Sequence, residues 1–299
     1  MRNKQNKLRF AVVGGDGRFA HLAGALAGHN RVDAVYGMFF DKQTELPEGV
    51  HRSNDIHTVL PQSDVVVFPL PVVGSDGALN LPLSGETVTV RDCLEAMRPG
   101  ALALGGMVPD DMQALAAERG IELADYSIRE EFAVLNAVPT AEGAVEIALR
   151  ELPITLFRSR CLVIGYGRIA RVLTELLRAF GADVTVAARK CSDLAWAQVA
   201  GARAIPLSQL NRCLEEGVDA LFNTAPAAIL GPEELTSLNR DCLLVDLASK
   251  PGGVDFAAAE QLGLKSIWAL SLPGKCAPVS AGEIILQTIC NILEERGII

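Results

Sequence analysis

The ten residues Cys161–Ala170, CLVIGYGRIA, decide the fold of this chain. A short apolar run, Cys161–Gly165, predicts a buried strand, and an amphipathic helix is predicted from Arg168 to Phe180. Between them the residues Gly165-Tyr166-Gly167-Arg168-Ile169-Ala170 form a G-x-G-x-x-A turn. Gly165 permits a tight turn, Gly167 lets a pyrophosphate approach the backbone, and Ala170 lets helix and strand pack closely. With the N–H groups of a helix N-terminus beside it, this turn predicts a dinucleotide-binding domain.

The next predicted strand, Asp183–Ala188, bears on which dinucleotide binds. A strand end that holds the ribose 2′-OH of NAD usually carries Asp or Glu, whereas this chain continues Ala188-Arg189-Lys190. Two cations suit a 2′-phosphate, so NADP is favoured and NAD is the alternative. A solvated basic loop would have the same composition.

Two further loops follow predicted parallel strands of this half. Asn223-Thr224-Ala225-Pro226 follows Asp219–Asn223, and the run Asp246–Gly253 (DLASKPGG) follows Leu243–Leu247. Because ligands bind at the carboxyl ends of parallel strands, the first loop is expected to face the nicotinamide ribose. Leu272–Lys275 either closes the pocket or is a surface turn.

The whole chain alternates short Val-, Ile- and Leu-rich runs with amphipathic segments, which is typical of βαβ units. We therefore predict an α/β protein of two doubly wound parallel-sheet domains, the second a Rossmann dinucleotide-binding domain. The expected divisions are a flavodoxin- or Rossmann-like substrate domain over 1–150, the dinucleotide domain over 151–280, and a C-terminal helix over 281–299 that packs back on the first domain. Pro139–Leu149 predicts a connecting helix with Thr140 as its N-cap. The other predicted elements of the first half are the strands Arg9–Gly14, Asp64–Pro69 and Ala101–Leu104 and the helices Phe19–Gly28, Arg91–Met97 and Asp110–Arg119.

Composition limits the function classes. Hydrophobic residues make up 49% of the 299 residues and charged residues 21%, and the net charge is -9, which argues against nucleic acid as the main partner. No run of 18 apolar residues is present, so no membrane span is expected. The seven cysteines are scattered without a CxxC pair, and the four histidines precede residue 60. We therefore expect no metal site and a cytoplasmic protein.

The first half contains candidate substrate residues. Gly14-Gly15-Asp16-Gly17-Arg18 lies between a predicted strand and helix, and it is either a structural turn or a site where a small carboxylate meets N–H groups and Arg18. The polar stretch that follows Tyr126 leads into the connecting helix. The candidate substrate contacts are Asp16, Arg18, Arg129, Asn136, Thr140 and Lys250. No Ser/His/Asp or Cys/His arrangement is identifiable, so the catalytic residue is unassigned, with Lys250 as the candidate.

Seven motifs, in their order and spacing along essentially the whole chain, resemble those of the A-subunit family of dipicolinate synthase. They are GGDGR, the Tyr126–Glu142 stretch with NAVPTAEGA, GYGRIA, AAR, NTAP, DLASKPGGVDF and LPGKCAPVSAG. The second half alone also resembles formate/glycerate-dehydrogenase and adenosylhomocysteinase-type Rossmann proteins.

The resemblance implies an NAD(P)-dependent oxidoreductase that oxidises dihydrodipicolinate, a cyclic dicarboxylate with a CH–CH or cyclic imine donor, to dipicolinate during sporulation. It implies that the partner is a flavoprotein-like B subunit and that the chain acts in the mother-cell cytoplasm. A homo-oligomer is also expected. The residues it implies at the cofactor are Gly165, Gly167, Arg168 and Arg189, with Thr224 and Pro226 beside the nicotinamide. The full set of expected cofactor contacts is Gly165, Tyr166, Gly167, Arg168, Ile169, Ala188, Arg189, Lys190, Asn223, Thr224, Ala225 and Pro226.

Two other hypotheses of function stay open. One is a 2-hydroxyacid or amino-acid dehydrogenase of the same architecture, although a hydroxyacid dehydrogenase needs a base, commonly His, and the second half contains none. Aromatisation of a ring loses its proton easily and needs no histidine. The other reading is a non-catalytic, nucleotide-bound scaffold protein, which the lack of an identifiable catalytic residue allows.

Overall fold

The computed structural model describes residues 7–299. They form two compact units that divide at Leu135 and Asn136 and again at Cys276 and Ala277, so the first unit comprises residues 7–135 and 277–299. The sequence placed the first division near residue 150 and the second near 280. The first difference arises because the division falls inside a helix, where the sequence gives no signal for a boundary.

The first unit contains a six-stranded sheet in the order β3-β2-β1-β4-β5-β6, with every neighbouring pair parallel. This is the Rossmann order, so the flavodoxin-like alternative for this half does not apply. The strands are β1 (Leu8–Val13), β2 (Val32–Met38), β3 (Val50–Arg52), β4 (Val65–Val67), β5 (Leu102–Gly105) and β6 (Glu122–Asp125). The helices that follow them are α1 (Gly17–Ala27), α2 (Ile56–Val59), α3 (Val90–Ala96), α4 (Asp110–Glu118) and α5 (Glu130–Glu151).

The second unit repeats the same strand order as β12-β11-β10-β7-β8-β9, again with parallel pairs throughout. The strands are β7 (Arg160–Ile164), β8 (Asp183–Ala188), β9 (Arg203–Pro206), β10 (Ala220–Asn223), β11 (Leu243–Asp246) and β12 (Lys265–Trp268). The helices are α6 (Arg168–Ala179), α7 (Cys191–Val199), α8 (Leu210–Glu215), α9 (Pro232–Thr236), α10 (Phe256–Gln261) and α11 (Leu272–Cys276). The predicted fold class, two doubly wound parallel sheets, is therefore confirmed.

The last helix, α12 (Pro278–Glu295), belongs to the first unit. Ile285 and Ile289 are buried in the same core cluster as Phe19 and Leu22 of α1. A Cβ atom at Gly282 would lie 2.6 Å from the carbonyl oxygen of Arg18, so α12 and α1 approach as closely as their backbones allow. Burial of four large side chains of α12 (Ile285, Ile289, Ile292 and Leu293) makes this helix part of the first core.

Helix α5 differs from its predicted form. It begins at Glu130 and has Pro139 inside it, so the expectation that Thr140 is an N-cap is wrong. Thr140 instead donates its hydroxyl to the carbonyl of Asn136, one turn earlier, at 2.8 Å. By length and composition α5 is the one helix of residues 7–299 apolar enough to cross a membrane, but 56% of its most apolar window is buried inside the protein. That burial is typical of a core helix.

Candidate functional site

The glycine turn joins β7 to α6 at the carboxyl edge of the second sheet. Gly165 has φ +89°, and a Cβ atom there would lie 2.7 Å from Thr224 Oγ1. Gly167 has the extended backbone of an N-cap (φ −80°, ψ −165°) with no side-chain cap, and a Cβ atom there would have no neighbour within 4 Å. The first glycine is therefore required by backbone and packing, whereas the second leaves open space above the helix N-terminus.

Tyr166, between these glycines, turns its ring into the core. Its exposed fraction is 6%, and the guanidinium of Arg171 lies 5.6 Å from the ring centroid. Burial raises the pKa of Tyr166, so the phenol stays protonated at neutral pH. Tyr166 can therefore meet a ligand only through its backbone. Arg168 is exposed, and Ile169 packs partly against the core.

Strand β8 ends beside the turn. Ala188 is buried, whereas Arg189 and Lys190 are exposed. Within residues 7–299 neither cationic side chain has a hydrogen bond or an ion pair with the protein. Two cations without protein counter-charges are left at the position where a Rossmann domain meets the ribose of its dinucleotide.

The Asn223–Pro226 loop after β10 packs directly against the glycine turn. Thr224 donates both its N–H and its hydroxyl to the carbonyl of Ile164, at 3.0 and 2.8 Å. Asn223 is fully buried, and its amide bonds Ala225 N, Ala225 O and Asp246 Oδ1. Asn223 therefore shapes this loop from beneath, and Ala225 and Pro226 form its surface.

Asp246, at the end of β11, is a residue whose role the sequence does not reveal. Its side chain is fully buried and accepts hydrogen bonds from Asn223 Nδ2 (2.8 Å), Ala248 N (3.0 Å) and Gly253 N (2.8 Å). One carboxylate thus holds the loops that follow two neighbouring strands. The only available signal is an acid that ends the apolar run LLVD.

Lys250 lies on the second of these loops. The indole N–H of Trp268 donates to Ala248 O at 3.0 Å, and the Trp268 ring stacks on Phe256. The loop is thereby fixed at its base, whereas Lys250 is exposed and has no bonded partner among the described residues. Lys250 can offer its ammonium group to an anionic ligand.

The Gly14–Arg18 turn of the first unit differs from the glycine turn at Gly165–Ala170, because protein side chains fill the space beside its glycines. A Cβ atom at Gly14 would lie 2.1 Å from the side chain of Leu81, and one at Gly15 would lie 2.2 Å from the Phe19 ring. Arg18 is 5% exposed, and its guanidinium bonds Asp16 through two nitrogens and the Leu70 carbonyl at 2.9 Å. Protein atoms therefore occupy this turn, and Asp16 and Arg18 neutralise each other.

Two more candidate substrate residues, Arg129 and Asn136, differ in whether other groups of the protein already bind their polar atoms. Arg129 is paired with Glu131 and, through two nitrogens, with Glu295 at 2.6 and 2.7 Å. These bonds raise the pKa of Arg129 and use its donors within the first unit. Asn136 is the opposite case, because its buried Oδ1 has no hydrogen-bond partner among the described residues. Of these two, only Asn136 has an unpaired polar atom to offer a ligand.

Burial keeps three thiols of this chain in their neutral form. Burial raises the pKa of Cys93 and Cys242 to about 12 and that of Cys161 to about 11, so these thiols are not nucleophiles at neutral pH. Cys276, which lies near the predicted pocket loop, donates its thiol to the Leu272 carbonyl at 2.8 Å. In the described part of the chain no group of three His, Cys, Asp or Glu side chains could hold a metal ion.

The residues at the carboxyl edge of the second sheet fit a dinucleotide. The open space at Gly167 and the uncapped N-terminus of α6 suit a pyrophosphate, and the cations at 189 and 190 suit a further phosphate. That these residues bind a cofactor stays a prediction.

Comparison with known proteins gives matches over the whole chain. Residues 9–127 match the family model for the N-terminal domain of the dipicolinate synthase A subunit. The A subunit of dipicolinate synthase from Bacillus subtilis (strain 168) is 29% identical over 289 residues, which cover 96% of each chain. The crystal structure of the A subunit from Bacillus halodurans has a TM-score of 0.87 at 26% identity, covering 97% of this chain and 98% of the other. The transhydrogenase of Sinorhizobium meliloti shares the fold, with a TM-score of 0.71 at 16% identity over 96% and 94% of the two chains.

Proposed function

We propose that this chain, which is similar to the A subunit of dipicolinate synthase over nearly its whole length, is an NADP-dependent oxidoreductase that converts dihydrodipicolinate to dipicolinate, pyridine-2,6-dicarboxylate. The observation that carries the proposal is the open, uncapped glycine turn at Gly167 beside the unpaired cations Arg189 and Lys190. In the reaction the substrate ring loses a hydride and a proton. NADP supplies the hydride acceptor when it is bound.

The chain's own residues bind and orient the reactants. The backbone of the Gly165–Gly167 turn and the N-terminus of α6 hold the pyrophosphate, and Arg189 and Lys190 bind the 2′-phosphate. The Asn223–Pro226 loop, fixed to Ile164 through Thr224, borders the nicotinamide. Lys250 binds a carboxylate of the substrate, since Arg18 and Arg129 are already paired with carboxylates of the protein.

The residues of the second unit suit a reaction in which no protein base has to accept a hydroxyl proton. Loss of hydride and proton makes the ring aromatic, so the proton leaves an acidic intermediate and can pass to water. A hydroxyacid dehydrogenase would instead need a base for a hydroxyl proton, and the second unit contains no histidine. Aromatisation is therefore favoured over the hydroxyacid reaction.

The remaining parts of the proposal follow from the family. An A subunit implies a second component of the synthase, and we place a flavoprotein-like B subunit beside this chain. We also propose that the chain is a homo-oligomer and acts in the mother-cell cytoplasm of a sporulating bacterium. Nucleic acid and membranes have no part in this proposal.

The proposal is tested by mixing the full chain with NADP and the freshly made product of the lysine-pathway aldol step. Reduced nicotinamide is followed by absorbance and dipicolinate by chromatography. Equimolar growth of both from this chain alone is the expected result. NADP binding with turnover only after addition of the B subunit would favour the scaffold reading, and absence of NADP binding would overturn the assignment of the turn.

The Arg189→Asp variant tests the choice of dinucleotide. We expect the ratio of NADP to NAD affinity to fall by about 100-fold, because the variant loses an ion pair to the 2′-phosphate and gains an acid for the 2′-OH. Dissociation constants for both dinucleotides are measured by calorimetry. Arg240→Asp, the same change at an exposed arginine of the same unit, is the control and should leave the ratio unchanged. An unchanged ratio in Arg189→Asp would refute the 2′-phosphate contact.

A further inference from the structure

The second sheet has a cleft at its amino edge, opposite the edge that carries the glycine turn. Its volume is about 630 Å³, and it is lined by residues from the starts of β7, β8 and β9 and from the ends of α6, α7 and α8. Arg160, Arg178 and Arg203 line it together with the acids Asp183 and Glu216. In a chain of net charge -9, three arginines and two acids line this cleft, and a further acid, Asp219, pairs with Arg160.

The helix ends hold two of these arginines in place. Arg178 Nη1 donates to the carbonyl of Ala200 at the end of α7, and Arg160 Nη1 donates to the carbonyl of Glu216 after α8, at 2.8 Å. Glycines make room for both guanidinium groups: a Cβ atom at Gly201 would lie 2.6 Å from Arg178 Nη2, and one at Gly217 would lie 2.7 Å from Arg160 Nη1. The negative ends of the helix dipoles thus engage one nitrogen of each group.

Arg160 also pairs with Asp219, with 3.4 Å between Nη2 and Oδ1, whereas the other two arginines keep donors that bind no protein group among the described residues. Arg203 pairs with Glu216 through Nη1 alone, at 2.8 Å. Arg178 has no carboxylate partner among residues 7–299, and no bond engages its Nε or Nη2. Planar guanidinium groups fixed in this way lose little entropy when they bind an oxyanion through two nitrogens.

We propose that this cleft is a binding site for a small polyanion, a molecule that carries phosphate groups or several carboxylates. Arg178 and Arg203 provide the main contacts, and Arg160 lies beside Arg203, since both bind Glu216. The site lies on a different edge of the sheet from the dinucleotide turn. The inference therefore stands independently of the proposed oxidoreductase function.

Calorimetric titration of the full chain, at constant ionic strength, tests the site with two probes, inorganic pyrophosphate and citrate. We expect at least one probe to bind with submillimolar affinity, and the tighter probe identifies phosphate or carboxylate as the preferred group. In Arg178→Gln and in Arg203→Gln the affinity should fall at least tenfold. Both variants are needed because Arg178 also holds the end of α7.

Arg240→Gln is the matched control, because Arg240 is an exposed arginine of the same unit that does not line the cleft. It should bind the probe within twofold of the unmodified chain. Absence of binding to both probes would overturn the proposal. Equal weakening in Arg240→Gln would also overturn it, because that result would indicate a general charge effect. Unchanged affinity in both cleft variants would overturn it too, because the anion would then bind at another site.

Discussion

Replacing Gly167 by aspartate is expected to weaken NADP binding by at least about 100-fold, or about 2.7 kcal/mol. The free energy of unfolding should stay unchanged or rise by a few tenths of a kcal/mol, because aspartate is a better N-cap than glycine. The backbone at Gly167 is extended, and its Cβ position has no neighbour within 4 Å, so the fold accepts the side chain. The new carboxylate would occupy the space assigned to the pyrophosphate and repel it.

Two further variants separate the causes. Gly167→Ser adds a neutral cap of similar size and should weaken NADP binding less than aspartate does. Gly85→Asp introduces the same charge at an open position of the other unit and should leave NADP affinity unchanged. Cofactor affinity is measured by calorimetry and unfolding by urea titration. If Gly167→Asp binds NADP as the unmodified chain does, the phosphates do not lie at this turn.

Replacing Asp246 by asparagine is expected to lower the free energy of unfolding by about 3 kcal/mol. The amide can still accept from Asn223 Nδ2 and Ala248 N, but its NH₂ group then faces the N–H of Gly253. A buried donor without an acceptor remains, and the loop that carries Lys250 loosens. Asp241→Asn, at an exposed acid five residues earlier, should change stability by less than about 0.5 kcal/mol.

The loosened loop can be observed apart from global stability. The chain has two tryptophans, so a Trp196→Phe background leaves Trp268, whose indole donates to Ala248 O, as the fluorescent reporter. We expect Asp246→Asn to shift Trp268 emission to longer wavelength below the unfolding transition and to weaken NADP binding. Native emission, together with stability within about 0.5 kcal/mol of the parent, would show that this carboxylate does not hold the loops.

The sequence predicts the central strands apart from β2 and predicts none of the edge strands. β1, β4, β7, β8 and β10 have neighbours on both sides and read as apolar runs, because both sheet faces are covered. The edge strands β3, β6, β9 and β12 have the sequences VHR, ELAD, RAIP and KSIW. They pair on one side only and are partly exposed, so no hydrophobic pattern distinguishes them from loops.

Prediction of the site residues from the sequence is limited in a similar way. The spacing of Gly165 and Gly167 is local, so the sequence reveals the turn. The sequence does not show whether Arg18 binds a ligand or pairs with Asp16, because that depends on the three-dimensional arrangement of the two side chains. Asp246 is a stronger example, since a fully buried acid with three donors from two loops looks in the sequence like any acid at the start of a turn.

The return of α12 to the first unit has a consequence for biosynthesis. The ribosome finishes the residues up to Leu135 early, but the core they form lacks Ile285, Ile289 and their neighbours until the last helix emerges. At roughly 5–20 residues per second, that wait is on the order of ten seconds or more. The second unit is one continuous segment and can complete its core first. Nascent chains therefore carry an apolar face on α1 that stays uncovered until α12 has been synthesised.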